Sequence, residues 1–133
     1  AAEYRAVSGS GGRLENADNT RWLFHGTTGA AWRGIQREGR VRLGRKGTVG
    51  AGSYWALTPA EAQRKAPHGG SVVIFCPVAL GRVKTVKEKE EHSGERLQAE
   101  GYDSVLFTGM QHGLEFVVYD ASQVDVAQCR RVQ

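Results

Sequence analysis

The sequence predicts an α+β domain built from two small antiparallel sheets packed on each other, and three observations predict it. Helical periodicity is confined to two short stretches in the first half, one following Thr28 and one following Thr58. Apolar, β-branched runs separated by glycine and polar clusters fill the chain from residue 71 onward. A chain of 133 residues buries roughly two-thirds of its unfolded surface, which suits one core and not two.

Residues 1–18 are polar, and Ser8-Gly9-Ser10-Gly11-Gly12 is too glycine-rich to hold regular structure, so 1–18 is expected to be a flexible tail and 19–133 the single domain. Arg21 to His25 alternates weakly and reads as the first strand. Thr28 can then cap a helix in which Ala31, Trp32 and Ile35 share a face, with Gly39 as its C-terminal stop. Gly44 to Gly52 holds four glycines in nine residues and reads as a mobile loop. Thr58-Pro59-Ala60-Glu61 is a capping box with proline at the first helical position, which predicts a short helix to about Lys65, ended by Pro67-His68-Gly69-Gly70. Strands are expected over Ser71–Val78, Gly81–Val86, Tyr102–Thr108, Glu115–Asp120 and Gln123–Val126.

The charge balance is 18 basic against 14 acidic residues, and its distribution says more than its sum. Arg33, Arg37, Arg40, Arg42, Arg45 and Lys46 crowd one segment opposed only by Glu38, whereas Lys87-Glu88-Lys89-Glu90-Glu91 cancels locally. The first cluster suits a polyanion, either nucleic acid or the pyrophosphate of a dinucleotide, and equally a plain solvated basic face, since no aromatic residues interleave with it. Cys76 lies in an apolar run and Cys129 near the basic tail. With no CxxC or regular spacing, neither zinc nor a disulfide framework is expected, and a reducing compartment, cytoplasm or nucleus, follows. No apolar stretch reaches membrane-spanning length, and no signal-peptide core is evident. His68, His92 and His112 lack ligand spacing and are expected in loops.

Three segments carry chemistry. Leu23-Phe24-His25-Gly26-Thr27 ends a strand on a histidine, Gly52-Ser53-Tyr54-Trp55-Ala56 sets an aromatic pair among small residues, and Glu115-Phe116-Val117-Val118-Tyr119-Asp120 puts a carboxylate at the head of an apolar strand. A carboxylate in that position calls for a partner or a task. Taken singly, His25 reads as a hydrogen-bonded structural histidine, Tyr54 as core, and Glu115 as a solvated strand edge.

Together, in this order over residues 20 to 126, the three segments resemble the His-Tyr-Glu triad of the PARP-type, diphtheria-toxin-like ADP-ribosyltransferases, and the size resembles the short stand-alone PARP-like members. The resemblance implies an ADP-ribosyltransferase fold and NAD as co-substrate, with no metal. It implies that His25 bonds the adenosine ribose, that the Gly26 backbone holds the nicotinamide carboxamide, that Tyr54 walls the nicotinamide pocket and that Glu115 is catalytic. Thr27, Gly52, Ser53 and Ala62 fall beside these positions and join the expected NAD site. The glycine loop directly before Tyr54 reads as a flap on which Arg45 or Lys46 closes on the pyrophosphate.

Two departures from the family pattern stand out. The helix that usually carries a second, stacking tyrosine reads Ala62-Gln63-Arg64-Lys65-Ala66, and the usual Asn before the catalytic Glu is Leu114. The expected activity is transfer of one ADP-ribose unit to a protein or nucleic-acid acceptor by a monomer that needs no membrane. The same Glu115 would serve an NAD glycohydrolase, and a silent module binding NAD, ADP-ribose or nucleic acid is the third reading. Arginine-specific relatives carry Glu or Gln two residues before the catalytic Glu, where this chain has Gly113, which disfavours arginine as acceptor. A Glu-led C-terminal strand also fits RNA 2'-phosphotransferases poorly.

Overall fold

The computed structural model describes residues 19–66, 72–110 and 113–133. The expected tail 1–18, the Pro67–Gly70 helix stop, Ser71, His68 and His112 lie outside the described residues. Seven strands and three helices follow in the order β1 (Thr20–Thr27), α1 (Gly29–Glu38), β2 (Ser53–Ala56), α2 (Pro59–Lys65), β3 (Val72–Ala79), β4 (Val83–Val86), α3 (Gly94–Ala99), β5 (Ser104–Phe107), β6 (Glu115–Val118) and β7 (Arg130–Arg131).

Both predicted helices form where their caps place them. The Thr28 hydroxyl accepts from Ala31 N at 3.1 Å, and α1 stops at Gly39, whose φ of 73° lets its N–H reach Ile35 O. Thr58 accepts from Glu61 N at 3.2 Å, with Pro59 opening α2. A third helix, α3, was not expected. Ser93 caps it by accepting from Arg96 N, and Leu97 is its only buried residue, so one apolar side chain carries its docking and no helical stripe marks it in the sequence.

The fold is α+β, but the strands form one seven-stranded mixed sheet, in the order β4-β5-β6-β2-β1-β3-β7. This corrects the expectation of two antiparallel sheets in two respects. β4 and β5 run parallel, which α3 permits by crossing between them. The halves are also joined, though narrowly: β1 pairs with β3 along the whole of Thr20–Thr27, whereas β1 and β2 meet only at Phe24↔Ala56. Beyond that pair the sheet parts.

The C-terminal region also differs. The expected Gln123–Val126 strand is a single bridge, Val78↔Val124, between two 3₁₀ turns, because Asp120 leaves β6 to accept from Ser122 N while Gln123 reaches back to Asp120 N.

Both sheet faces are buried. Leu23, Trp55, Ile74, Val78, Phe116 and Val118 fill one face, and Val49, Leu97, Val105, Phe107, Val117 and Tyr119 the other. A disulfide joins Cys76 on β3 to Cys129 across 53 residues. The sequence expectation of two separate thiols in a reducing compartment is overturned at the level of pairing: spacing along the chain carries no information about two cysteines that the fold brings side by side. Among the described residues no helix is long and apolar enough to cross a membrane.

Candidate active site

The parting of β1 from β2 creates the site. Val73 exchanges its backbone bonds with Val132 and Gln133 on the β7 side, so its antiparallel partner Gly26 directs its own N–H and C=O away from β3. They point to the side where β2 has diverged. A Cβ at Gly26 would run into the Ala62 carbonyl oxygen and the Ala66 methyl of the α2 region. Glycine therefore lets α2 close down on the strand while its backbone polar groups face the gap.

A cleft of about 530 Å³ occupies that gap, lined by His25, Gly26, Thr27, Tyr54, Ala62 and Glu115 together with Gly52, Arg42, Lys46, Lys65 and neighbouring residues. A volume of this size suits a small-molecule ligand. A second cavity of about 280 Å³ continues along α1, sharing His25, Thr27 and Arg42 and rimmed by Arg37 and Arg40. The two share a flank of Arg37, Arg40, Arg42 and Lys46, in which Arg42 donates to both carboxylate oxygens of Glu38.

His25, on β1, sits 4.9 Å from the Trp55 ring and donates from Nδ1 to the Tyr54 carbonyl at 2.7 Å. Burial lowers its pKa against the opposing pull of that hydrogen bond, so the ring is held neutral. With the proton fixed on Nδ1, Nε2 is an acceptor.

Tyr54 uses its hydroxyl differently from the expectation of a bare pocket wall. It donates to Gly50 O at 2.7 Å and accepts from Val49 N at 2.9 Å. Tyr119 Oη donates to Val49 O at 2.5 Å, and Val49 is fully buried. The glycine-rich segment is a loop, as predicted, but it is tied at its centre to two tyrosines and does not read as an open flap. Its glycines serve close approach: Gly50, at φ 105°, packs against the His92 backbone, and Gly47 lies on the Tyr54 ring. His92 lies in a loop as expected and is buried there, with Nε2 3.0 Å from Glu90 and its pKa lowered by burial.

Glu115 opens β6 and is only 8 % exposed. Its register against Ala56 and Phe107 puts it on the same sheet face as Tyr54 and Val117. Burial raises its pKa, Lys65 opposes that rise, and Glu61 adds to it. Among the described residues no side-chain hydrogen bond reaches its carboxylate. It is a desolvated carboxylate facing a cleft, the arrangement that stabilises a nearby developing positive charge.

Two expected site residues lie elsewhere. Ser53 is buried, its hydroxyl accepting from Trp55 Nε1 at 2.6 Å, because the residue before Tyr54 necessarily points to the opposite face. Arg45 is exposed and does not line the cleft, whereas Arg42 and Lys46 do. Sequence reasoning also missed Lys65 as a member of the site. Its Nζ donates to Leu114 O at 3.2 Å and pairs with Glu61 at 3.5 Å. The i, i+4 spacing of Glu61 and Lys65 was legible, but their meeting with the start of β6 was not.

No protein-family model matches the chain, and no curated protein matches it significantly. Among the described residues no cluster of three or more His, Cys, Asp or Glu side chains could hold a metal ion.

Proposed function

We propose that the chain is an NAD-dependent mono-ADP-ribosyltransferase, with the parted sheet as its PARP-type ADP-ribosyltransferase cleft. The observation that carries this reading is the gathering of His25, Tyr54 and Glu115, from three strands far apart in sequence, around one cleft at the point where β1 leaves β2. The cationic residues lining the cleft suit the phosphates of a dinucleotide. The neutral His25 offers Nε2 to a ribose hydroxyl, Gly26 turns its backbone donor and acceptor toward an amide, and Arg42 and Lys46 supply charge for phosphates.

In the reaction the glycosidic bond between the ribose C1 and the pyridinium nitrogen breaks, and nicotinamide leaves with the bonding electron pair as a neutral molecule. Positive, oxocarbenium-like charge develops on the ribose, and the Glu115 carboxylate stabilises it. The acceptor nucleophile then forms the new bond to C1 and gives up its proton, for which Glu115 is the adjacent base. The acceptor is a protein or a nucleic acid, and the protein acts as a monomer. With water as acceptor the same groups give NAD hydrolysis. The desolvation of Glu115 speaks against a silent binding module, because a buried carboxylate costs stability where it has no task.

Incubating the protein with NAD labelled in the adenosine and in the nicotinamide moieties, with and without protein or RNA acceptors, tests the reading. Label transfer from adenosine to a macromolecule supports transferase activity, and nicotinamide release with free ADP-ribose supports hydrolysis. Intact NAD under every condition refutes both.

A further inference from the structure

We infer that Lys65 is the positioning residue of the site: it ties α2 to the start of β6 and sets an ammonium in the cleft that Glu115 faces. The inference rests on the transferase reading for its chemistry and on the geometry alone for the placement. Lys65 lies in the last turn of α2, its side chain 14 % exposed, and a lysine is rarely so covered without a specific partner. Its Nζ donates to the carbonyl of Leu114, the residue directly before Glu115, at 3.2 Å, and pairs with Glu61 at 3.5 Å. Lys65 and Glu115 line the same cleft. One ammonium thus fixes the backbone from which Glu115 projects and sets a positive charge beside it.

Among the described residues, Lys65 and Glu61 from α2 and the Tyr54 phenol from β2 interact electrostatically with Glu115, and His25, Arg42 and Lys46 line the same cleft. Glu61 and burial both favour the protonated acid, and Lys65 favours the carboxylate. Among the described residues, Lys65 is the group named as opposing protonation of Glu115. A protonated Glu115 could not stabilise a developing positive charge, so the state of Lys65 enters the rate through pH. Two further features support a positional role. Gly113, at φ 78°, has space for no side chain because the Glu61 carboxylate occupies it, so the chain before Glu115 is seated against the same Glu61–Lys65 pair. Ala62, three residues before Lys65, is buried and lines the same cleft, so this face of α2 is seated against the site.

The test compares wild type, Lys65→Met and Lys65→Arg by two readouts. The first is the titration of the Glu115 carboxyl, followed by carbon NMR in glutamate-labelled protein and assigned by its loss in Glu115→Gln. The second is the pH profile of nicotinamide release. In Lys65→Met the Glu115 titration moves to higher pH, and nicotinamide release falls by a factor at least about tenfold greater at pH 6 than at alkaline pH; Lys65→Arg restores both. An unchanged Glu115 titration in Lys65→Met overturns the inference whatever NAD does, as does an activity loss equal at every pH. A shifted titration in a protein that never releases nicotinamide supports the placement of Lys65 and refutes the transferase reading instead.

Discussion

The His25 ring and the Tyr54 main chain are locked together: Nδ1 of His25 donates to the Tyr54 carbonyl at 2.7 Å, where sequence alone joins the two residues only as members of separate strands. Because a carbonyl only accepts, this bond selects one tautomer and leaves Nε2 as an acceptor. It also spans the place where β1 and β2 cease to pair, so the His25 side chain braces the opening of the cleft that it lines.

Acidification is expected to destabilise the protein as pH falls below 6.5. Burial lowers the pKa of both His25 and His92 in the folded state below the 6.5 of an unperturbed histidine. In that window the unfolded chain binds more protons, so the contribution is complete above pH 6.5 and lost as pH falls through the folded values. Glu115, whose pKa is raised, acts in the opposite direction, so the melting temperature is best followed in Glu115→Gln. A melting temperature that does not change from pH 7 to 5 in that background, or one whose fall survives in a His25→Asn/His92→Asn double variant, counts against this account.

Tyr54→Phe removes the bonds to Val49 N and Gly50 O while keeping the ring. Losing them is expected to cost about 1–3 kcal/mol in denaturant unfolding and to speed hydrogen exchange at the Val49 amide. Unaltered exchange there would mean that Tyr119 alone holds the loop.

The two cations of the glycine loop should separate in their effects. Lys46 lines the cleft and Arg45 does not, so Lys46→Ala should raise the NAD dissociation constant at low salt and Arg45→Ala should leave it unchanged. The Lys46 effect should shrink with added salt, because the side chain is exposed. Equal effects of the two substitutions would place the pyrophosphate outside this cleft.

Reduction of Cys76–Cys129 releases a constraint across 53 residues that ties the C-terminal segment to β3. Stability to denaturant should fall by roughly 2–4 kcal/mol with dithiothreitol, and Cys76→Ala/Cys129→Ala should lose the response to the reagent. A protein equally stable with and without reductant would show the two thiols to be unlinked in solution.

What the sequence made legible was local. Thr28, Gly39, Thr58 and Pro59 act within a few residues of themselves, and their helices form as read. His25, Gly26, Tyr54 and Glu115 were singled out because their three segments, in this order, resemble the His-Tyr-Glu motif, and the fold brings all four to one cleft. What stayed hidden depends on contacts between distant segments. Val49 and Gly50 look like free loop until Tyr119, some seventy residues on, bonds to the first, and Cys76 looks solitary until β7 brings Cys129 beside β3. Ser53 was misplaced for a simpler reason: strand alternation turns it away from the cleft that Tyr54 lines, and Trp55 then takes its hydroxyl.

The central claim is that the Glu115 carboxylate does the chemistry, and Glu115→Gln tests it most directly. The variant removes a charge that burial disfavours. A carboxyl whose pKa is raised on folding gives stability below its unfolded pKa and loses it as pH rises through the folded value, so at pH 7 the variant should melt no lower than wild type. With folding and NAD affinity intact, its rate of nicotinamide release should fall at least about a hundredfold, the scale of one lost electrostatic stabiliser. A well-folded Glu115→Gln protein that releases nicotinamide at the wild-type rate would contradict the account.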